Sequence, residues 1–204
     1  MSNYPFIIFE GVEGSGKTTQ IKNVIKYLKK KRIGYVNIRE PGGTKNSEKI
    51  RKLILNNKSS LNKVTDLFLY FASRSENVDK IISKFYGKKV ILIDRFIYST
   101  IAYQHYGMGI NKKLIENINT LLIGKYKPDH IFLHTVSKKN LANRLRLRKK
   151  KNRYDKFKLN FYDIVQRGYL KILESKKNVT IIDSSDTLNN NKIQILEKIK
   201  LLLR

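Results

Sequence analysis

The segment EGVEGSGKTT, residues 10–19, carries a glycine and lysine spacing that binds phosphate groups. It matches G-x-x-x-x-G-K-[ST] through Gly11, Gly16, Lys17 and Thr18. Glycines let backbone N–H groups wrap a phosphate, and a helix that starts after the loop adds partial positive charge. The lysine reaches the β and γ phosphates of a nucleotide, and the threonine hydroxyl is a ligand for Mg²⁺. The sequence therefore predicts a nucleotide-phosphate site made of Gly11, Val12, Glu13, Gly14, Ser15, Gly16, Lys17, Thr18 and Thr19.

A second candidate metal ligand is Asp94, which ends the apolar run VILID. The carboxyl ends of parallel strands form the edge at which α/β sheets bind ligands. With Thr18 of the loop, Asp94 is expected to hold Mg²⁺ directly or through water. The same position also suits an acid that caps the next helix, so this alternative stays open.

Apolar and amphipathic segments alternate along the chain, and the strands and helices that they predict must position the loop. Five short runs are typical of buried strands of a parallel sheet: FIIF (6–9), YVNI (35–38), VILID (90–94), HIFLHTV (130–136) and VTIID (179–183). The longer segments between them have apolar residues near helical spacing. The alternation predicts one three-layer α/β/α domain over residues 1–204, with a central five-stranded parallel sheet and the P-loop NTPase fold.

Composition restricts the class of protein. The 204 residues are 41% hydrophobic, which is typical of a globular chain, and no apolar run has the length of a membrane span. The N-terminal MSNYPFIIFEG lacks the features of a signal peptide, so a cytoplasmic protein is expected. The absence of cysteine excludes disulfides and thiolate metal sites. The three scattered histidines, at 105, 130 and 134, are interpreted as ordinary sheet or loop residues.

The net charge of +27 is the one feature that favours nucleic acid or an acidic membrane as a partner. The lysines, however, are spread along the whole chain, and no known nucleic-acid module is present. Nucleic-acid binding is therefore not expected to be the main function. A nucleic-acid-dependent ATPase stays open as the alternative from a different class.

The loop alone does not show which class of P-loop protein the chain belongs to. A GTPase of this length needs a guanine-reading N-K-x-D after a late strand, but the fourth apolar run is followed by SKKN. A signature of ABC-type ATPases is also absent. The class that remains is a kinase that phosphorylates a small phosphate-bearing acceptor. Such a kinase is expected to have arginines that bind the acceptor and a basic lid over the ATP.

The chain resembles bacterial thymidylate kinase over nearly its whole length. The motifs that carry this resemblance, in order, are FEGVEGSGKTT (9–19), REPGGT (39–44), Arg51 in KIRKLIL, LYFASR (69–74), DRFIYSTIAYQ (94–104) and NRYD (152–155). The resemblance implies transfer of a phosphate from ATP to dTMP with Mg²⁺, and it implies a homodimer. Another nucleoside or nucleoside monophosphate kinase is the alternative within kinases.

The resemblance also implies which residues bind the acceptor. An acceptor monophosphate must approach a triphosphate, which requires fixed cations, and Arg51 and Arg95 occupy those positions. A thymine ring needs a flat partner and a donor for its carbonyl, and Tyr70 and Arg74 lie one helical turn apart. Further positions implied near the base, the sugar or the pocket wall are Thr100, Tyr103, Gln104 and Pro41. Tyr103 is expected to favour deoxyribose, and Glu13 to lie near the acceptor's sugar and the reacting centre.

The basic stretch LANRLRLRKKKNRYD, within a lid at about residues 141–157, is expected to close over the nucleotide. The glycine loop itself contains no arginine, so the catalytic cation must come from elsewhere. By resemblance, Arg153 is the first choice, together with Lys17, Arg95 and Glu13 as catalytic residues. One of Arg146 and Arg148 is expected to stack on adenine, and residues 149–151 are interpreted as background charge. The resemblance also places the loop at 183–187 beside the adenine.

Overall fold

The computed structural model describes residues 4–148 and 152–204. In this part of the chain, five strands form one parallel sheet in the order β2-β3-β1-β4-β5. The strands are β1 (Phe6–Glu10), β2 (Tyr35–Arg39), β3 (Val90–Asp94), β4 (His130–Thr135) and β5 (Val179–Asp183). The predicted five-stranded parallel sheet is confirmed, and each strand lies within one residue of the predicted run.

The helices lie mostly where the sequence pattern predicts them. Those of the described residues are α1 (Lys17–Lys30), α2 (Lys45–Leu55), α3 (Lys63–Asn77), α4 (Ser83–Phe85), α5 (Ile97–Thr100), α6 (Lys112–Ile123), α7 (Lys138–Arg146), α8 (Leu159–Leu173) and α9 (Leu188–Leu202). Side-chain caps start several of them, for example Thr44 at α2 and Asn62 at α3.

Strand β1 shows why the fold has three layers. Its side chains alternate between the two faces of the sheet, so that Phe6 and Ile8 belong to one core cluster and Ile7 and Phe9 to the other. Residues of α1 and α9 complete the second cluster, whereas α3, α6 and α8 cover the first. The predicted α/β/α arrangement is therefore confirmed.

Three features of the helices differ from the prediction. The segment 65–85 has apolar residues near helical spacing and is expected to form one helix, but a π-helical turn, Val78–Ile82, separates α3 from α4. This turn keeps both Val78 and Ile82 buried. A second π-helical segment, Ile101–Gly107, continues α5. The C-terminal helix α9 is not among the predicted segments; its first turn is a run of asparagines at 189–191, a residue type that favours turns and caps over helices.

The carboxyl ends of the strands all lie at one edge of the sheet, where the loops that follow them meet. Three acids of different strands are therefore brought together there: Glu10 and Asp94, which end β1 and β3, and Glu40, which follows β2. Within the described residues, no helix is long and apolar enough to cross a membrane.

Candidate active site

The loop at residues 11–18 makes a tight connection between β1 and α1. Gly11, at φ 133°, passes so close to the backbone oxygen of His134 that a Cβ atom would overlap it. Gly16, at φ 89°, supplies the left-handed conformation from which α1 starts. The Lys17 side chain is buried, and its Nζ donates to the carbonyl oxygens of Gly11 at 2.8 Å and Val12 at 2.9 Å. The backbone of the loop thus wraps around a buried ammonium group.

The electrostatic surroundings of Lys17 weaken its hold on its proton. Burial lowers the pKa of this lysine to about 8, and the positive charge of Arg95 acts in the same direction. The carboxylates of Asp94 and Glu13 offset part of that effect. Lys17 is therefore mostly charged at neutral pH, and it loses its proton as the pH rises through about 8.

The two predicted metal ligands contact each other directly. Thr18 Oγ1 donates to Asp94 Oδ2 at 3.1 Å. Within the described residues, no three His, Cys, Asp or Glu side chains cluster as a metal site. A hydroxyl and one carboxylate fit Mg²⁺, which keeps most of its water and binds nucleotide phosphates.

The alternative role of Asp94, as a cap for the following helix, does not fit the structure. The backbone N–H groups of Phe96 and Ser99, at the start of α5, donate to Glu10 Oε1 at 3.0 and 3.2 Å. Glu10 is fully buried, and burial raises the pKa of its carboxyl group despite these hydrogen bonds. Asp94 is therefore free for another role. Sequence reasoning missed Glu10, although an acid directly after a buried strand was the signal that singled out Asp94.

A cavity of about 520 Å³ opens beside the loop. Five arginines line it, and it is called the arginine cavity below: Arg51, Arg74, Arg95, Arg144 and Arg148. The other residues that the sequence places at an acceptor line it too: Glu13, Pro41, Tyr70, Thr100, Tyr103 and Gln104. The structure thus brings together all the predicted acceptor-binding residues.

Arg95 is held in an unusual backbone conformation at the floor of this cavity. Its φ is 70°, in the left-handed region that arginine rarely adopts. Its Nη2 forms an ion pair with Glu13 at 2.9 Å, and Glu13 also accepts a hydrogen bond from the hydroxyl of Tyr103. Burial alone raises the pKa of Glu13, but the charge of Arg95 and this hydrogen bond leave it below its ordinary value. An anionic Glu13 therefore fixes a cation beside the loop.

Arg74 is buried and fully oriented by its partners. It forms an ion pair with Glu40 at 2.8 Å. Its guanidinium also donates to the carbonyl oxygen of Phe96 at 3.0 Å and to Thr100 Oγ1 at 2.9 Å. Asn119 accepts from its Nη1 at 2.6 Å. Sequence reasoning missed Glu40 and Asn119. Glu40 gave a signal, since it follows β2 at the same edge of the sheet as Asp94.

Three further residues shape the arginine cavity. Gln104 is 1% exposed, and its Nε2 has no hydrogen-bond partner among the described residues, so a ligand acceptor or a water could satisfy it. The ring of Tyr70 meets Tyr154 edge-on, with centroids 6.3 Å apart. Arg51 Nη1 donates to the carbonyl oxygen of Pro41 at 2.6 Å, which ties α2 to the cavity wall.

A second cavity, of about 450 Å³, lies on the other side of the loop and is called the loop cavity. Residues 14–20 form one wall of it, and Ser184 and Asn191 contribute to the other. His134 also lines it with a buried Nε2 that has no partner within the described ranges. The two cavities share Gly14, Lys17, Thr18 and Arg144, so a molecule in each can meet at the loop.

Arg144 joins the lid to both cavities. Its Nη1 donates to the carbonyl oxygen of Gly14 at 2.7 Å, and its Nη2 donates to that of Ser184 at 2.8 Å. The spacing of Arg144 and Arg148, four residues apart and opposite Leu141 and Leu145, favours an exposed cation here. The actual side chain is half-buried because backbone carbonyls from two loops accept its hydrogen bonds. The predicted adenine contact Arg146 is exposed and lines neither cavity.

The other lid arginines point in different directions. Arg148 lines the arginine cavity and forms an ion pair with Asp155 at 2.6 Å. Arg153 does not line it; its guanidinium is instead paired with the buried Asp66 of α3. The residues 149–151, which the sequence pattern treats as background charge, lie outside the described residues.

Comparisons with known proteins agree with one another. The family model described as thymidylate kinase matches residues 9–195. The chain is 34% identical over 201 residues to a thymidylate kinase of Kosmotoga olearia, covering 98% of this chain and 97% of that one. It is 38% identical over 201 residues to a thymidylate kinase of Wolbachia pipientis wMel, covering 95% and 99%. The crystal structure of thymidylate kinase from Ehrlichia chaffeensis superposes with a TM-score of 0.78 at 32% identity, covering 97% of this chain and 98% of that one.

Proposed function

We propose a division of roles among the site residues that proceeds from one premise: the chain belongs to the thymidylate kinase family, whose members transfer a phosphate from ATP to dTMP. The observation that carries the proposal is the junction of the two cavities at Gly14, Lys17 and Thr18. ATP bound in the loop cavity presents its γ-phosphate to an acceptor in the arginine cavity. An acceptor phosphate oxygen then attacks the γ-phosphorus in line, and ADP leaves.

The donor is held by the loop and the residues behind it. Backbone N–H groups of residues 11–19 surround the phosphates, and Lys17 contacts the β and γ groups. Thr18 and Asp94 hold Mg²⁺, which neutralises charge that develops on the phosphates. The Arg144 guanidinium, fixed by Gly14 and Ser184, is placed to contact the adenosine part.

The acceptor is held by charge at one end and by its base at the other. Arg51 and Arg95 bind the monophosphate, which is already anionic and so needs no strong general base. Tyr70 stacks on the base, and Arg74 donates to its carbonyl. The remaining contacts of the acceptor follow the predicted positions: Pro41 at the wall, Thr100 and Gln104 near the base, Tyr103 near the sugar.

The lid supplies the cation that the glycine loop lacks. The sequence favoured Arg153, but its guanidinium is paired with the buried Asp66 and does not line the arginine cavity. Arg148 already faces the arginine cavity. We therefore assign the transferred phosphate to Arg148, and we assign to Arg153 the anchoring of the lid on α3.

A homodimer is part of the same proposal. Helices α3 and α6 contact each other, and both expose large apolar side chains on the outside of the molecule. These are Val64 and Phe68 on α3 and Leu114 and Leu121 on α6, with Phe68 54% and Leu121 80% exposed. Several large exposed apolar side chains on two contacting helices are typical of a protein–protein interface. A cytoplasmic location also stays a proposal, in agreement with the absence of cysteine.

A panel of nucleoside monophosphates tests the specificity of the reaction. ADP release, measured with an excess of ATP and Mg²⁺, should be fastest with dTMP and slow with dCMP, UMP, AMP and GMP. Equal turnover with all five acceptors would contradict the proposed base contacts. ATP hydrolysis that an oligonucleotide stimulates and dTMP leaves unchanged would favour the nucleic-acid-dependent ATPase that the net charge of +27 suggests.

A further inference from the structure

We propose that Asn119, which lies outside every motif of the sequence, is a positioning residue for base selection. It orients Arg74 so that one guanidinium N–H points at the carbonyl on C4 of the acceptor's pyrimidine. This inference rests on the proposed function, because it assumes that Arg74 reads the base.

Nearly all N–H groups of the Arg74 guanidinium have an acceptor in the protein. Its Nε donates to Glu40 at 2.9 Å, and its Nη2 lies 2.8 Å from the same carboxylate oxygen and donates to the Phe96 carbonyl and to Thr100. Its Nη1 donates to Asn119 at 2.6 Å. A guanidinium has five N–H bonds, two of them on Nη1. One N–H of Nη1 therefore has no acceptor within the described part of the chain, and Arg74 lines the arginine cavity.

Asn119 controls the direction of that remaining N–H. The guanidinium is planar, so a fixed bond from one hydrogen of Nη1 fixes the other hydrogen as well. Asn119 is 4% exposed on α6, and it does not line the cavity. It acts only through Arg74.

The orientation of the Asn119 amide is itself determined. Its Oδ1 must face Arg74, because the reverse orientation would put two donors against each other. Its Nδ2 is buried without a hydrogen-bond partner among the described residues. A buried unpaired donor destabilises the folded state. The structure thus retains an unfavourable amide group at the position where its oxygen holds Arg74.

This arrangement discriminates between pyrimidines. Thymine has a carbonyl oxygen at C4, which accepts a hydrogen bond, whereas cytosine has an amino group there, which donates one. A fixed N–H rejects the amino group, because two donors would face each other without a partner. Without Asn119, the guanidinium is held only along the edge formed by Nε and Nη2, and it can tilt about that edge, so the free N–H of Nη1 moves and part of this discrimination is lost.

The test compares two acceptors in the full-length chain. The ratio of kcat/KM for dTMP to kcat/KM for dCMP is measured for the original protein and for Asn119→Leu, which removes the acceptor oxygen. Loss of a hydrogen bond to a charged group predicts that the ratio falls by roughly tenfold, mainly through a higher KM for dTMP. Asn119→Asp keeps an acceptor oxygen in the same place, and its ratio should stay within about threefold of the original. The control is Asn189→Leu, an exposed position on α9 away from the proposed interface, which should leave the ratio unchanged.

Several outcomes separate this inference from simpler explanations. A lower Tm for Asn119→Leu with an unchanged ratio would show that the residue is merely structural and would overturn the inference. If Asn119→Leu does not fold, Asn119→Ser, which shortens the side chain beyond reach of Arg74, decides by the same ratio. If the original protein transfers no phosphate to dTMP, the proposed function itself fails, and this result is distinct from an unchanged ratio.

Discussion

Arg153 and Arg148 lie five positions apart in the lid, and their side chains are held by different parts of the molecule. Arg153 is paired with Asp66 of α3, whereas Arg148 is paired with Asp155 at 2.6 Å on the wall of the arginine cavity. The Arg148 side chain is 39% exposed and lines the arginine cavity, so it can turn to a ligand phosphate while the buried Asp155 keeps the hydrogen bond from the backbone N–H of Asn152. The Arg153 side chain is only 17% exposed and does not line the cavity, so it stays with the buried Asp66.

The first prediction concerns these two arginines. Arg148→Ala should lower kcat by on the order of 100-fold, because a cation that contacts the transferred phosphate is removed. The KM for dTMP should change by less than about threefold. Arg153→Ala should lower Tm by several degrees and have the smaller effect on kcat. Steady-state kinetics and thermal melts check both variants. A larger loss of kcat in Arg153→Ala would restore the interpretation made from the sequence.

The second prediction concerns the contact between Thr18 and Asp94. Asp94→Asn keeps the size of the side chain but removes its charge. The Mg²⁺ concentration for half-maximal activity should rise by about tenfold or more, because Mg²⁺ binds carboxylates far better than amides. A Mg²⁺ titration at saturating ATP and dTMP measures this. The matched control is Asp163→Asn, which removes an exposed acid on α8, and an equal shift in both variants would argue against a metal role for Asp94.

The third prediction concerns pH. The pKa of Lys17 is lowered to about 8, chiefly by burial, so Lys17 loses its proton as pH rises through that value. A neutral lysine binds the phosphates of ATP weakly. The value of kcat/KM for ATP should therefore be constant below about pH 7.5 and fall above pH 8, since this constant reports groups of the free enzyme. At saturating ATP the decline should move to higher pH, because bound phosphates favour the charged form. A kcat/KM that is constant up to pH 9.5 would contradict the effect of burial on Lys17.

The fourth prediction concerns the outer surface of α3 and α6. Phe68→Asp places a charge among the exposed apolar side chains of α3 and α6, and it should convert a dimer into a monomer in light scattering at micromolar concentration. Leu201→Asp, at a 56% exposed position on α9, serves as the control and should leave the mass unchanged. A monomeric original protein would remove the homodimer from the proposal.

The sequence predicts the sheet and the loop well because both depend on local patterns. Short apolar runs define the strands, and the spacing of Gly11, Gly16 and Lys17 defines the loop. The positions of Arg51, Tyr70 and Arg74 at one cavity followed from the family resemblance.

Other parts of the site depend on long-range contacts that no local pattern contains. Asn119 has the same appearance in the sequence as Asn117, yet only Asn119 is buried against Arg74. The direction of Arg153 depends on Asp66, which is 87 residues away. The role of Glu10 required knowing that the start of α5 lies beside β1.

Transfer of a labelled γ-phosphate tests the central claim most directly. The chain is incubated with ATP labelled in its γ-phosphate, dTMP and Mg²⁺, and the products are separated by chromatography. We predict that the label appears in dTDP in proportion to the ADP formed, and that Arg51→Ala raises the dTMP concentration needed for half-maximal transfer by at least about tenfold. Label found only in inorganic phosphate, with no dTDP, would contradict phosphoryl transfer to dTMP.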